Sequence, residues 1–228
     1  MTKYIAIASG KRGVGKTTVA ANLAIALHKL GRDITLIDAN LTTPHLNFHL
    51  NFPTPKTTLS SILKEGKHIS EALYLHPSGL KIVPGSTYLG NHNKELSAAL
   101  LDLFGKTEIA IMDSAPGFDE TALKPLRSAD ETIIVVNPEI TAINDAIKTI
   151  NIAEEHSNVI GVVLNKLKSN KNQIIKIVQQ RLNRPVIAAI AEDRNIPKSL
   201  SLGRPILCSY PNSQTSKEFR QLADLLNL

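Results

Sequence analysis

A chain of 228 residues, of which 43% are hydrophobic, is long enough for one well-buried domain and too apolar for a disordered protein. Its formal net charge of +6 would suit an anionic partner, but aromatic residues make up only 4%, which argues against a base-stacking platform. A single cysteine, Cys208, excludes a disulfide framework and a cysteine-based metal or cluster site.

The N-terminal sequence MTKYIAIASG has too short an apolar run for a secretory signal and leads directly into a glycine-rich loop. We therefore interpret it as a first strand. No window reaches the roughly 18 unbroken apolar residues of a membrane span. These observations predict a cytoplasmic protein.

Apolar runs of strand length alternate with segments of helical periodicity. The predicted strands are, in order, KYIAIAS, DITLIDA, LKIVPG, EIAIMDSAPG, ETIIVVNPE, NVIGVVLNK and VIAAIAED. The predicted helices are TTVAANLAIALHKLG, TLSSILKEG, ITAINDAIKTINIAEEH, NQIIKIVQQRLN and SKEFRQLADLLNL, and NLTTPHLNFHLNFPTPK is interpreted as a polar stretch. This alternation predicts an α/β fold with a doubly wound, mostly parallel sheet flanked by helices. Because several strands are almost continuously apolar, both faces of the sheet should be covered. Without a linker or an internal repeat, residues 1–228 are expected to form one domain.

Two of these helices carry specific packing predictions. The first has an apolar stripe and a candidate C-terminal cap, Gly31; the stripe consists of Val19, Leu23, Ala26, Leu27 and Leu30. The last has a stripe of Phe219, Leu222, Leu225 and Leu226, with only Leu228 beyond it. We interpret this last stripe as core rather than as a membrane anchor.

The segment SGKRGVGKTT matches the phosphate-binding pattern G-x-x-x-x-G-K-[ST] through Gly10, Gly15, Lys16 and Thr17. It follows a predicted strand and opens a predicted helix, as this loop requires. Glycines let backbone N–H groups approach phosphates closely, and the helix N-terminus adds a positive dipole end. The expected nucleotide contacts run along the loop: Gly10, Lys11, Arg12, Gly13, Val14, Gly15, Lys16, Thr17 and Thr18. Lys16 should reach the β- and γ-phosphates, Thr17 should hold Mg²⁺, and Thr18 should contact the α-phosphate.

A second lysine in the loop, Lys11, has two interpretations. It is either a solvated loop lysine, which composition alone favours, or a cation that acts across an interface, as an arginine finger does.

The segment GKRGVGKTT resembles the K-G-G-x-G-K-[ST] loop of the MinD/ParA family of P-loop ATPases. The similarity extends over nearly the whole chain, through LIDANLTTPHLNFHL, IMDSAPGFDETAL, VVNPEITAINDAIKTINIAEE, GVVLNK and CSYPNSQTS, and is strongest to MinD-like, archaeal-type members. The resemblance implies that Lys11 reaches into the site of a partner subunit when a homodimer encloses two ATP molecules. It also implies that Asp145 lies near the dimer seam and pairs with this lysine.

Two aspartates end predicted strands, where the carboxyl edge of a parallel sheet binds ligands. Asp113 is expected to accept from a Mg²⁺-bound water, and Asp38 to support the hydration shell, with Thr17 as the third metal-site residue. Either aspartate alone could instead be a cap or a turn residue. Gly117, in SAPG, is expected to offer its N–H to the γ-phosphate.

The chain departs from the family pattern at two positions. Asn40 stands where the family has an aspartate that orients the attacking water, and Arg12 stands where it has glycine. The predicted catalytic set is therefore Lys11, Lys16, Asp38 and Asn40, with slow hydrolysis. Arg12 could pair with the facing triphosphate or loosen the dimer; the sequence leaves both open.

By the same resemblance, Asn165 should read adenine through N6 and N7, and Pro211 should form the other wall of the base site. The alternative for each is an ordinary turn residue.

Together these predictions describe an ATP-dependent dimerisation switch, an ATPase that binds ATP or ADP with Mg²⁺ and positions or partitions cell components with a regulatory or cargo protein. Two alternatives are a hydrolysis-deficient, ATP-bound scaffold and a ParA-like protein that binds DNA in an ATP-dependent manner. Any membrane association is expected to be weak or through another protein.

Overall fold

A single sheet of eight strands organises the computed structural model, which describes residues 1–53, 55–87, 93–168 and 171–226. The strands are β1 (Lys3–Ala8), β2 (Ile34–Ala39), β3 (Tyr74–Leu75), β4 (Lys81–Val83), β5 (Ile109–Ser114), β6 (Glu131–Val136), β7 (Asn158–Leu167) and β8 (Val186–Ala191). Their order across the sheet is β3-β4-β2-β5-β1-β6-β7-β8. All neighbouring pairs are parallel except β3 with β4. The predicted doubly wound, mostly parallel sheet is confirmed.

Helices cover both faces of this sheet. In the described part of the chain they are α1 (Lys16–Lys29), α2 (Leu46–Leu50), α3 (Leu59–Glu65), α4 (Leu96–Leu100), α5 (Glu120–Arg127), α6 (Ile140–Glu154), α7 (Lys171–Leu182), α8 (Asn195–Ser201), α9 (Ile206–Ser209) and α10 (Gln214–Leu226). Short 3₁₀ turns occur at Ile69–Ala72 and Leu101–Leu103. None of these helices is both long and apolar enough to cross a bilayer.

The sheet has a hydrophobic core on each face, and alternate residues of the central strands pack into one core or the other. These strands are therefore apolar almost without interruption. In β1, Ile5 and Ile7 pack with α1, whereas Tyr4, Ala6 and Ala8 pack on the face that carries α6. The expectation that both faces of the sheet are covered is therefore confirmed.

Helix α1 is buried on nearly all sides, because it lies against the sheet and is flanked by α10, which also contacts β8. Val19, Leu23, Ala26 and Leu27 are buried as predicted. The predicted stripe is wrong at Leu30, which is exposed because it is the cap residue where the helix has already ended. Gly31 follows the cap in the left-handed region (φ 87°), and its N–H donates to the carbonyl of His28.

Helix α10 is a core helix, as predicted. Phe219 and Leu222 are fully buried and Leu226 packs partly against the α1 core, but Leu225 points outward, so the predicted stripe is one residue too wide. Leu228 lies outside the described residues.

Candidate functional site

The carboxyl ends of β1, β2 and β5 meet at one edge of the sheet and carry the phosphate loop and both aspartates. The loop from Ser9 to Gly15 joins β1 to α1. Gly13 and Gly15 adopt positive φ angles of 80° and 96°, which side chains with a Cβ disfavour. A Cβ on Gly15 would also collide with the side-chain amide of Asn165. The loop conformation therefore depends on glycine at this position.

Lys16 lies at the first turn of α1 and is only 7% exposed. Burial lowers the pKa of its ammonium group, the Asp113 carboxylate opposes this shift, and the nearby Arg12 guanidinium adds to it. A buried cation is costly unless a negative charge compensates it. The site is thus prepared for an anion, as a phosphate cradle requires.

Thr17 and Asp113 form the polar centre of the site. Thr17 Oγ1 donates to Asp113 Oδ2 at 2.6 Å, while Asp113 Oδ1 is buried and has no hydrogen-bond partner within the described chain. An unpartnered, buried carboxylate oxygen beside a hydroxyl fits a hard cation such as Mg²⁺. No cluster of three or more His, Cys, Asp or Glu side chains able to hold a metal is found among the described residues. Mg²⁺ held here would therefore take most ligands from water and phosphate oxygens.

Asp38 lies opposite Asp113 in the register of β2 with β5. Burial, reinforced by the negative charge of Asp113, raises the pKa of the Asp38 carboxyl group. Burial also raises the pKa of Asp113, although Lys16 and Thr17 oppose that shift. Asp38 accepts backbone N–H bonds from Asn40 (3.2 Å) and Leu46 (3.1 Å), so it fixes the start of α2. Two buried acids side by side provide a further reason for a cation to bind here.

Asn40 is buried and its side-chain amide is fully engaged locally. Its Nδ2 donates to the Thr43 carbonyl at 2.7 Å, and its Oδ1 accepts from Thr42 Oγ1 (2.9 Å) and from the Thr43 N–H (3.1 Å). In this conformation Asn40 closes the turn after β2, although it also lines the ligand cavity described below.

The two adjacent cations of the loop point in different directions. Lys11 Nζ donates to Glu139 Oε2 at 2.7 Å and to Thr141 Oγ1 at 3.1 Å, both at the start of α6 in the same chain. Arg12 instead lines the cavity beside Lys16, and within the described chain its guanidinium has no hydrogen bond or ion pair. The lysine predicted to act across an interface thus lies at the surface, and Arg12 faces its own site. The pairing of Asp145 with the lysine of a partner subunit is an intersubunit contact and stays a prediction; within one chain, Lys11 pairs with Glu139.

The segment after β5 that contains Gly117 is hydrogen-bonded to the phosphate loop through its backbone. The Gly117 N–H donates to the Ser9 carbonyl at 3.1 Å, with Gly117 at φ 103°. The N–H predicted to meet the γ-phosphate is therefore already occupied, and it would have to leave Ser9 to do so.

A cavity of about 530 Å³ opens above the loop. Its lining combines polar and basic residues with apolar ones: Arg12, Gly13, Lys16, Thr17, Thr18, Asn40, His45, His49 and Lys166 on the one hand, and Phe48, Ile196, Pro197 and Leu200 on the other. Such a lining suits a ligand that has both an anionic group and an apolar group.

The structure places the two residues that were predicted to contact the base, and the base contacts themselves stay predictions. Asn165 is only 3% exposed, and its Nδ2 donates to the Val14 carbonyl at 2.7 Å, so it supports the loop from below. Pro211 is not among the lining residues; its carbonyl accepts from Arg220 Nη2 at 2.9 Å. The apolar lining of the cavity includes Ile196 and Pro197 of α8. The position of Pro211 in the sequence did not indicate that residues of α8, rather than Pro211, would line the cavity.

Histidine and lysine side chains at the site were missed by sequence reasoning. His49 Nε2 bonds Thr18 Oγ1 (3.2 Å), and burial, with a smaller effect of His45, lowers the pKa of His49 to about 4. Lys166 Nζ donates to the Gly13 carbonyl (2.8 Å). The i, i+4 spacing of His45 and His49 was the available signal for a helix with two imidazoles on one side.

A glycine loop between β1 and α1, a buried lysine at the helix start and a Thr–Asp pair beneath them define a P-loop nucleoside triphosphatase. A family model, ParA, described as NUBPL iron-transfer P-loop NTPase, matches residues 1–227. The chain therefore belongs to the ParA family, and its relatives connect it to MinD.

Three relatives illustrate this similarity. An ATP-binding protein of Methanocaldococcus jannaschii is 33% identical over 98% of this chain and 87% of its own length. The septum site-determining protein MinD of Pyrococcus horikoshii, solved with Mg-ADP, has a TM-score of 0.91 and 28% identity over 100% of this chain and 96% of its own. MinD of Aquifex aeolicus, solved as a MinC:MinD complex, has a TM-score of 0.85 and 26% identity over 98% and 95%.

Proposed function

We propose that residues 1–228 form one ATPase domain that binds Mg-ATP, pairs with a second copy of itself in the bound state and hydrolyses ATP slowly. The observation that carries this proposal is the buried ammonium of Lys16 beside the Thr17–Asp113 pair at the head of the cavity. Lys16 would neutralise phosphate charge, and Thr17 with Asp113 would hold Mg²⁺, supported by Asp38. When bound, the metal supplies charge stabilisation to the phosphates.

The surface around Lys11 supports pairing. Lys11 is 39% exposed and lies next to α6, where Ile140 and Ile147 are exposed on one face. Phe118 is also exposed, and it packs near Gly10 at the base of the loop. Apolar side chains around a cation suit a face that is covered when two subunits meet. In that arrangement Lys11 would leave Glu139 and reach the neighbouring nucleotide.

The test is the solution mass of the protein with ADP, ATP and a non-hydrolysable analogue. We expect a dimer with ATP or the analogue and a monomer with ADP, and we expect Lys11→Ala to stay monomeric while it still binds nucleotide. Lys3→Ala is the matched control, because Lys3 forms a similar exposed ion pair with Glu131 (3.0 Å) at the other end of β1. A monomer at saturating analogue, or a Lys11→Ala protein that pairs normally, would contradict the proposal.

A second candidate is a nucleotide-bound scaffold that scarcely hydrolyses ATP. The bonds of Asn40 to Thr42 and Thr43 favour it, since an amide fixed in a turn is poorly available to orient water and has no negative charge. Phosphate release from the wild-type protein and from Asn40→Asp separates the candidates. A large rise in the variant supports the scaffold, and substantial turnover by the wild-type protein eliminates it.

The cellular role proposed is the positioning of cell components through a partner protein, in the cytoplasm. Support comes from the MinD relatives, one of which was solved with MinC. Retention of the analogue-bound protein, but not the ADP form, on a candidate partner would test this role.

A further inference from the structure

The end of β7 has an unusual backbone. The register of β7 with β8 shifts between Leu164 and Leu167, so that the two intervening residues, Asn165 and Lys166, have no register partner on β8. Lys166 has φ 58°, in the left-handed region that a lysine disfavours. Such a conformation persists only where surrounding contacts fix it, and it occurs preferentially at functional sites.

The irregular backbone directs both side chains to the phosphate loop. Asn165 Nδ2 donates to the Val14 carbonyl at 2.7 Å, and Lys166 Nζ donates to the Gly13 carbonyl at 2.8 Å. Two consecutive residues thus hold two consecutive carbonyls of the loop. In a regular strand, consecutive side chains would point to opposite faces of the sheet. The bulge and the positive φ angle are therefore what allow this double contact.

The consequence for the loop follows from peptide geometry. In a trans peptide unit the C=O and the next N–H point in opposite directions. When Lys166 holds the Gly13 carbonyl toward β7, the N–H of Val14 in the same peptide unit points away from β7. Asn165 holds the Val14 carbonyl, and this fixes the direction of the Gly15 N–H in the same way. A donor on a carbonyl also polarises the peptide and strengthens its N–H as a donor.

We propose that Lys166 is a positioning residue for phosphate binding: its ammonium holds the Gly13 carbonyl so that, with Asn165, it orients the loop N–H groups before the ligand arrives. This inference rests on the nucleotide site proposed above and goes beyond it by assigning to Lys166, which also lines the cavity, a role that does not depend on contact with the ligand. Preorganised donors of this kind lower the cost of binding an anion.

The experiment compares Lys166→Met, Lys166→Gly and Lys166→Arg by their affinities for ADP and ATP in the presence of Mg²⁺. We expect Met and Gly to weaken both nucleotides about tenfold, since a charged donor to the loop is lost, and Arg to retain most of the affinity. Glycine is the informative variant, because it relieves the positive φ angle and should raise the melting temperature while affinity falls. Lys168→Met is the control, as Lys168 is exposed and pairs with Glu192 (3.7 Å) rather than with the loop.

A second readout tests positioning without any ligand. The amide signals of Val14 and Gly15 in the NMR spectrum of the nucleotide-free protein should shift in Lys166→Met and Lys166→Gly but not in Lys168→Met. Wild-type affinity in the Gly variant, unchanged amide signals, or a loss confined to ATP, as expected of direct γ-phosphate contact, would each overturn the inference. Should the wild-type protein bind no nucleotide, the proposed function fails, and the amide signals still decide the inference.

Discussion

At the scale of single residues, the site contains ionisable side chains whose charged forms are disfavoured by burial. Lys16 is a buried cation, Asp38 and Asp113 are neighbouring buried acids, and His49 is a partly buried imidazole. Each is held against its preference for water by the surrounding fold. Their titration therefore reports on the site even before a ligand is added.

His49 gives the clearest prediction of pH dependence. Its folded-state pKa of about 4 lies below the ordinary value of 6.5 because of burial, so between these values the unfolded chain binds the additional proton. Stability is therefore lost as pH falls from about 6.5 to about 4, by up to about 3 kcal/mol from this group. Urea unfolding at a series of pH values should show a smaller loss for His49→Gln. His156→Gln, at the exposed end of α6, should behave like the wild-type protein, and an equal loss in His49→Gln would refute the assignment.

Arg12 should act on the nucleotide of its own subunit. Its guanidinium lines the cavity and is unpaired within the described chain, so it is available for two hydrogen bonds to phosphate. We expect Arg12→Gly, which restores the family residue, to weaken ATP binding about tenfold, and Arg12→Lys to be intermediate; titration calorimetry measures both. Tighter binding by Arg12→Gly would mean instead that repulsion between Arg12 and Lys16 dominates.

At the scale of elements, the junction of β1 with α1 depends on two glycines in different ways. A Cβ on Gly13 would meet no atom within 4 Å, whereas one on Gly15 would strike the Asn165 amide. Gly13→Ala should therefore cost only the strain of its positive φ angle, about 1 kcal/mol. Gly15→Ala should also displace Asn165 and reduce nucleotide affinity at least a hundredfold. Chemical denaturation and nucleotide titration of both variants check this, and equal effects would contradict it.

The longer helices and strands could be predicted from sequence because their hydrophobic periodicity and their length match the burial of their residues in the structure. Seven of the eight strands and the helices α1, α3, α6, α7 and α10 were predicted. Strand β3 has two residues, too few for any period. Helix α2 has five residues in a polar segment and is held by the bonds of Asp38 to its first turn. Such elements form through tertiary contacts, which a local pattern does not contain.

The same distinction applies to the site. The structure brings Lys16, Thr17, Asp38 and Asp113 together as expected, because a loop motif and strand ends define their positions. The contacts of Asn165 and Lys166 with the loop were not predicted. They require an irregular backbone at the end of β7, and no residue in this segment indicates that irregularity in the sequence. The contact of Lys11 with Glu139 could not be predicted either, because it depends on the position of the N-terminus of α6 relative to the loop.

At the scale of the whole molecule, the two cores share the same strands, so we expect a single cooperative unfolding transition. Nucleotide at a hundred times its dissociation constant should add about 2.7 kcal/mol to the free energy of unfolding. Lys16→Ala should abolish this gain and change the stability of the nucleotide-free protein much less, because the buried charge that it removes also compensates Asp113. Calorimetry with and without Mg-ATP measures both effects. A retained ligand shift, or two separate transitions, would contradict this description.

The bond between Ser9 and Gly117 has a consequence at a distance. Helix α5 begins three residues after Gly117 and presents Glu120 and Arg127 to solvent. If a phosphate takes the Gly117 N–H from Ser9, this link between the loop and the segment leading into α5 is broken, while the Asp119 side chain still caps the helix at the Ala122 N–H. The position of α5, and with it the exposed pair of Glu120 and Arg127, would then depend on the nucleotide in the cavity.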